Sequence, residues 1–560
     1  MNITQEENKK LGTSEWILQK PARNREIEGY ASHTSINKGE DIKFYINTHS
    51  EKYSVSFFRM GWYQGMGGRQ IDKSILLNGE IQKIPVPDKN SGLVECNWNC
   101  SYILKTTLKW VSGVYLVKLI EHDTNNESYI IFVVRDDYNE TDILFQLPVT
   151  TYQAYNYWGG KCLYTFGSGS LTDWGEVSGE KAKKVSFNRP YASSNNPKAA
   201  YGMGAGDFLT NTRPVTSHKY PISSAGWDYN MVRWIEKNGY NVKYCTNIDI
   251  HENKEIYNFS KTYISNGHDE YWSYEMRRNI TKARDSGINL AFFSSNTMYW
   301  QIRLVKSSLT NSKNRTIVCY KEAELDPVKT ERRTINFDTI PEIGTQAKLI
   351  GVQYFADPVL GDIKITNPKH WIFNNSDIKE GEVLKGLLGY EIDGIVSESP
   401  SNIIKLSSTI CQKVNRRKSS YILSHMFKRL NELLENNLKH IAQLFRANEK
   451  VLKYLILSIC VIIDIVVLTY IGLIYFTLIH LLFLLVFFVW FLKIRFSEKY
   501  ESNMSIYSPT SDSYVFATGS MQWSWGLDNY NAPNLRPEFL NPKVEIITKN
   551  ILRKFTKAKK

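Results

Sequence analysis

Residues 454–492, YLILSICVIIDIVVLTYIGLIYFTLIHLLFLLVFFVWFL, constrain this chain more than any other stretch. An α-helix crosses the hydrocarbon layer in about 20 residues, so this run predicts a transmembrane hairpin of two crossings, bent near Gly472. Asp464 and His480 are its only acidic or imidazole side chains, and pairing across the hairpin is the expected role of each. Basic residues flank both ends: Arg446, Lys450 and Lys453 before, Lys493, Arg495 and Lys499 after. By the positive-inside rule both ends face the cytoplasm, which predicts a multi-pass membrane protein with cytoplasmic globular domains and the lipid bilayer as a partner. Ahead of the run, Ile422, Met426, Leu430, Leu433, Leu434, Leu438, Ile441 and Leu444 keep helical spacing among Lys and Arg. That basic amphipathic helix suits an anionic leaflet, or packing on the protein's own domain.

The charge balance follows the same segment. Net charge is +13, and residues 411–453 hold ten Lys or Arg against three Glu, +7 of that total. A basic excess concentrated beside a membrane run argues against nucleic acid as a partner. The N-terminus, MNITQEENKKLGTSEW, shows no secretory h-region. The seven cysteines include one close pair, Cys96 and Cys100, with no second pair to complete a zinc site. Free thiols in a reducing compartment are expected.

At 560 residues two or three domains are expected. After a tail at 1–27, residues 28–136 alternate apolar and polar in short runs, the pattern of an Ig-like antiparallel β-sandwich. The loop MGWYQGMGGR at 60–69 interrupts it with four glycines. From 137 to 410 the runs DILFQLPV, YNVKYCTN, TYISN, INLAFFS and TIVCY lack polar alternation, as strands buried on both faces do. Helical stripes stand between them and stop at Gly239 and Gly287. The fold class predicted is therefore a β-sandwich followed by an α/β doubly wound domain. Residues 411–502 form an insertion carrying the hairpin, and 503–560 return to the α/β domain and end in a basic tail.

In such a sheet, functional groups gather at the carboxyl ends of the strands. Tyr229 at a helix start, Tyr271 at the turn leaving TYISNG, and Glu322 after TIVCY meet that condition. Two phenolates and a carboxylate suit iron. With 34 tyrosines in the chain, a packed ring with one hydrogen bond is the competing reading of each Tyr. His268 and Glu270, in the same turn as Tyr271, are candidates for moving a proton. A nucleophile elbow is excluded, because Gly267 and His268 occupy the turn where Ser or Cys would stand.

RMGWYQGMGGR, VTTYQAYNYWGGK, SFNRPY, WDYNMVRWIEKNGY, GHDEYWSYEMR, NLAFFSSNTMYWQIR, VCYKEAELDP and GSMQWSWGLDNY together resemble the N,N-dimethylformamidase large (beta) subunit-like family. The resemblance implies a β-sandwich and a domain similar to class I glutamine amidotransferases. The catalytic Cys of that class has no counterpart in this turn. It also implies a mononuclear iron held by two Tyr and one Glu, carried over as Tyr271, Tyr229 and Glu322, with Glu324 the alternative carboxylate. The chain departs from the family where Asp269 stands in place of a Pro and Trp272 in place of a His.

The function expected is a membrane-anchored amidohydrolase that uses this iron to cleave the C–N bond of a small amide, with His268 or Glu270 passing the proton. Assembly is open between a small helical subunit and a homo-oligomer. The alternative is a non-catalytic binding or scaffold protein that retains the fold.

Overall fold

The computed structural model describes residues 1–72, 74–166, 168–169, 179–194, 196–212, 224–414 and 497–557. The chain divides into two compact units, one of residues 1–409 and 501–560, the other of residues 410–500.

The first unit is built on a seven-stranded sheet. Its strands in chain order are β1 (Thr141–Leu147), β2 (Val242–Thr246), β3 (Ser260–His268), β4 (Asn289–Ser295), β5 (Ile404–Lys405), β6 (Ser505–Thr510) and β7 (Ser513–Ala517). Spatial order is β2-β1-β3-β4-β7-β6-β5. The first five of these pair parallel, from Ile143 opposite Val242 to Leu290 opposite Val515. β6 and β5 continue the sheet antiparallel. Apolar side chains of the parallel strands, among them Leu144, Tyr263, Leu290 and Phe292, bury against Trp272, Met276, Ile280 and Ala283 in one cluster.

Among the helices beside the sheet are α1 (Val149–Tyr155), α2 (Asp228–Lys237) and α3 (Tyr274–Asp285). α2 buries Met231, Trp234 and Ile235 on one stripe, and α3 buries Met276, Ile280 and Ala283. Just beyond them, Gly239 at φ +71° and Gly287 at φ +89° reverse the chain in the left-handed region that glycine enters without steric cost.

The expected fold class is corrected in two respects. First, strand dominates, and it is spread over six sheets of two to seven strands among the described residues. Before β1 stand a six-stranded and a three-stranded sheet; after it come a four-stranded sheet, a long two-stranded ribbon (Gln353–Lys364 with Val383–Gly394) and a second two-stranded sheet. Pairings between segments far apart in sequence, some only three residues long, leave no periodic signal to read. Second, among the described residues no helix is long and apolar enough to cross a membrane. The hairpin expected at 454–492 lies outside the described residues, so the transmembrane insertion, the bilayer partner and the multi-pass membrane location have no structural support and are withdrawn.

Candidate functional site

β3 is central in the parallel sheet and delivers His268 at its carboxyl end. Gly267 before it has φ +61°, and a Cβ there would lie 2.9 Å from the Trp227 Cβ, so only glycine makes this exit. The chain then turns through Asp269 and Glu270 into a short strand, Tyr271–Ser273, which pairs parallel with Trp300–Val305 in the four-stranded sheet.

The turn is held from all sides. Asp269 accepts from Gln146 Nε2 at 2.6 Å, Ser265 Oγ at 2.9 Å and Asn247 Nδ2 at 3.0 Å. Burial pushes its carboxyl up to about 6, opposed by those bonds. Helix α1 clamps the backbone, Thr151 Oγ1 accepting from the Glu270 N–H at 2.9 Å and Thr150 Oγ1 donating to the Tyr271 carbonyl at 2.7 Å. The Glu270 carbonyl accepts from the N–H groups of Tyr299 and Trp300 at 2.9 and 3.0 Å. Glu270 therefore projects from a fixed main chain.

Around its carboxylate three tyrosines converge. The Tyr155 hydroxyl lies 2.7 Å from Oε2, the Tyr164 hydroxyl lies 2.8 and 3.0 Å from Oε1 and Oε2, and the two hydroxyls are 2.8 Å apart. Tyr271 joins through Tyr164, hydroxyl to hydroxyl, at 2.6 Å. Burial and then the Glu270 charge raise the Tyr164 and Tyr271 phenols well above their ordinary value. His268 Nε2 is 3.3 Å from Glu270 Oε2 and 3.5 Å from Oε2 of Glu391, which comes from the long ribbon. Lys321 covers the group, its ammonium 3.3 Å from the Tyr164 ring centroid and 4.9 Å from that of Trp300. Burial pushes that ammonium down to about 8, opposed by Cys319 and Glu270. Tyr164, Trp300 and Lys321 are half-buried, so the cluster reaches the surface along this edge.

Of the residues singled out in the sequence, His268, Glu270 and Tyr271 thus come together, and Tyr229 and Glu322 stand elsewhere. Tyr229 is fully buried, but its hydroxyl donates to the Gly67 carbonyl at 2.6 Å, and its ring packs on Tyr530, Phe208 and Trp16. The residue of α2 that reaches the sheet's carboxyl end is its neighbour Asp228, which accepts from Asn266 Nδ2 at 3.0 Å. One step along a helix turns a side chain by about 100°, enough to take Tyr229 to the glycine loop instead. Glu322 is half exposed and pairs with Lys181 at 2.7 Å. Its preceding strand, Thr316–Val318, runs antiparallel to both neighbours in the four-stranded sheet, so the carboxyl-end rule for parallel sheets does not reach it. Glu324 is likewise exposed.

Tyr155, Tyr164, Lys321 and Glu391 were not singled out in the sequence. Tyr155 lies in VTTYQAYNYWGGK and Lys321 in VCYKEAELDP, two of the stretches that carry the family resemblance, but nothing local separates them from their neighbours. No three His, Cys, Asp or Glu side chains among the described residues are arranged as a metal shell. The donors that do converge are phenol and carboxylate oxygens, hard ligands that fit iron in the two-Tyr, one-Glu combination.

No curated protein matches the chain. The family model described as N,N-dimethylformamidase beta subunit-like, C-terminal, matches residues 54–534, a span that contains every member of this cluster, and the chain belongs to that family.

Proposed function

We propose that this chain hydrolyses the C–N bond of a small amide, with Tyr155, Tyr164 and Glu270 as the oxygen donors for a mononuclear iron. The observation that carries the reading is the approach of both phenol oxygens to one carboxylate, within 3.0 Å, at the carboxyl end of the central strand. These are the ligand types the family resemblance implies, borne by other residues than Tyr229, Tyr271 and Glu322. Iron held there would polarise an amide carbonyl and lower the pKa of a water.

The chain's own groups divide the remaining work. Thr150, Thr151 and the 299–300 backbone fix Glu270, so its carboxylate needs little reorganisation. His268, with Nε2 facing both Glu270 and Glu391, can take a proton on that atom and hand it to a leaving amine. Lys321 offers a cation to the oxygen on which charge develops as the carbonyl becomes tetrahedral. Tyr271 positions Tyr164 through the hydroxyl contact. Membership of a beta subunit-like family supports association with a second subunit.

The test is iron content and amine release from small amides, N,N-dimethylformamide first, for the purified chain and for Tyr155→Phe, Tyr164→Phe and Glu270→Gln. The expected result is iron with a visible phenolate charge-transfer band in the parent and its loss in each variant. Folded protein that takes up no iron, or variants that keep it, would overturn the reading and leave a binding protein of the same fold.

A further inference from the structure

A cavity of about 430 Å³ is lined by residues of the first strand, Ile27–Ala31, by the segments 157–159 and 190–193, and by none of the Glu270 cluster. Its volume falls within the roughly 300–1,000 Å³ of small-molecule sites. We infer that it binds a small planar organic acid, a carboxylate carried on an aromatic ring. The inference is independent of the amide reading.

The guanidinium in its wall is fixed and its donors are only partly used. Glu28, 7% exposed, accepts from Arg25 Nη2 at 2.9 Å, from Arg25 Nε at 3.1 Å and from Trp158 Nε1 at 2.6 Å. That carboxylate is saturated by donors and orients the guanidinium, which lies 4.4 Å over the Trp158 ring. Arg25 Nη1 makes no hydrogen bond to any described residue. A second donor lines the same cavity: Ser128 is 1% exposed and its hydroxyl has no hydrogen-bond partner among the described residues. A buried hydroxyl left unpaired is costly, so a ligand acceptor there would relieve that cost. A guanidinium edge and a hydroxyl are the donors a carboxylate takes. Tyr157, Trp158 and Tyr191 supply flat apolar walls for a ring. Asn24 and His49 line the cavity and are exposed, which gives it an opening to solvent.

Calorimetric titration of the full chain with benzoate, and with benzamide as its neutral isostere, tests this. Benzoate is expected to bind saturably and benzamide at least about tenfold more weakly, the scale of losing one charge-assisted pair. Ala192→Phe, which places a ring in the cavity without touching a charge, should abolish binding, and Ser128→Ala should weaken it. Arg25→Gln should abolish the preference for the acid; if that variant does not fold, the other two decide. The inference is overturned if benzoate does not bind the parent, if benzamide binds as tightly, or if Ala192→Phe leaves the affinity unchanged. Because Glu270→Gln should leave benzoate binding intact, failure here and failure of the amide reading are separable.

Discussion

The Tyr229 region and the Glu270 region both bury tyrosine hydroxyls, and they differ in what those hydroxyls meet. Tyr229 donates to a main-chain carbonyl inside a ring of aromatic side chains. Beside it, on the same helix, Glu236 accepts from Arg59 at 2.8 and 3.0 Å, from Tyr244 at 2.9 Å and from Asn8 at 2.8 Å. Each Glu236 oxygen accepts two of these bonds, so that carboxylate is matched by its donors. Around Glu270, by contrast, two phenols and an imidazole crowd one carboxylate, a third phenol joins through Tyr164, and an ammonium rests on ring faces. A matched buried network serves specificity and stability. An unbalanced one, where several phenol hydrogens compete for one carboxylate and their oxygens gather at one point, suits a site.

The comparison breaks most sharply at Glu270. Glu270→Gln keeps the side-chain shape and removes the charge, so amide hydrolysis should fall to background, and iron affinity by more than about 100-fold, beyond what loss of a supporting partner costs. The melting temperature measured alongside should change little. On the other side, Arg59→Met should cost about 3–5 kcal/mol in a denaturant titration, because it strands the Glu236 charge where both partners are fully buried. Iron content of whatever folds should be unchanged. If Arg59→Met removes iron from folded protein, the two regions are not separate.

A third outcome is read from pH. Asp393, buried and accepting from Ser295 Oγ at 2.6 Å and the Asn296 N–H at 2.9 Å, has its carboxyl pushed up by burial to about 7. Its folded value lies above the unfolded one, so the folded state binds the extra proton between about pH 4 and 7. Stability from this group is full below about pH 4 and is lost as pH rises toward 7. Asp393→Asn, whose amide oxygen can accept both bonds, should remove that slope, by a few kcal/mol across the window. Parallel stability curves for parent and variant over that range would contradict it.

The same contrast shows what a sequence can carry. The apolar stripes of α2 and α3, and the glycines that end them, are local features, and both helices lie where those signals place them. The cluster residues His268, Glu270 and Tyr271 sit within four positions and could be read together. Tyr155 and Tyr164 stand 115 and 106 residues from Glu270, and only the parallel pairing of β1 with β3 brings α1 and its following loop to that turn. Tyr229 stands out in the sequence by its place at a helix start, and Glu322 by its place after an apolar run. A helix's angular phase and a strand's antiparallel pairing decided against both, and neither is written in the local pattern.

The smallest effect is the most discriminating. Tyr229→Phe removes a single hydroxyl, which donates to the Gly67 carbonyl and meets the Arg233 guanidinium, while the ring contacts with Trp16, Phe208 and Tyr530 remain. Burial raises this phenol, opposed by Arg233, so it is neutral at ordinary pH and acts as a donor. Its loss leaves one carbonyl short of a donor and should cost about 1 kcal/mol. Gly67, at φ +83°, is held in a conformation the loop's glycines already favour, so the loop itself should keep its shape. Iron content and the charge-transfer band should match the parent. Loss of iron in Tyr229→Phe, with Tyr164→Phe unaffected, would return the ligand role to Tyr229 and reverse the assignment of the two regions.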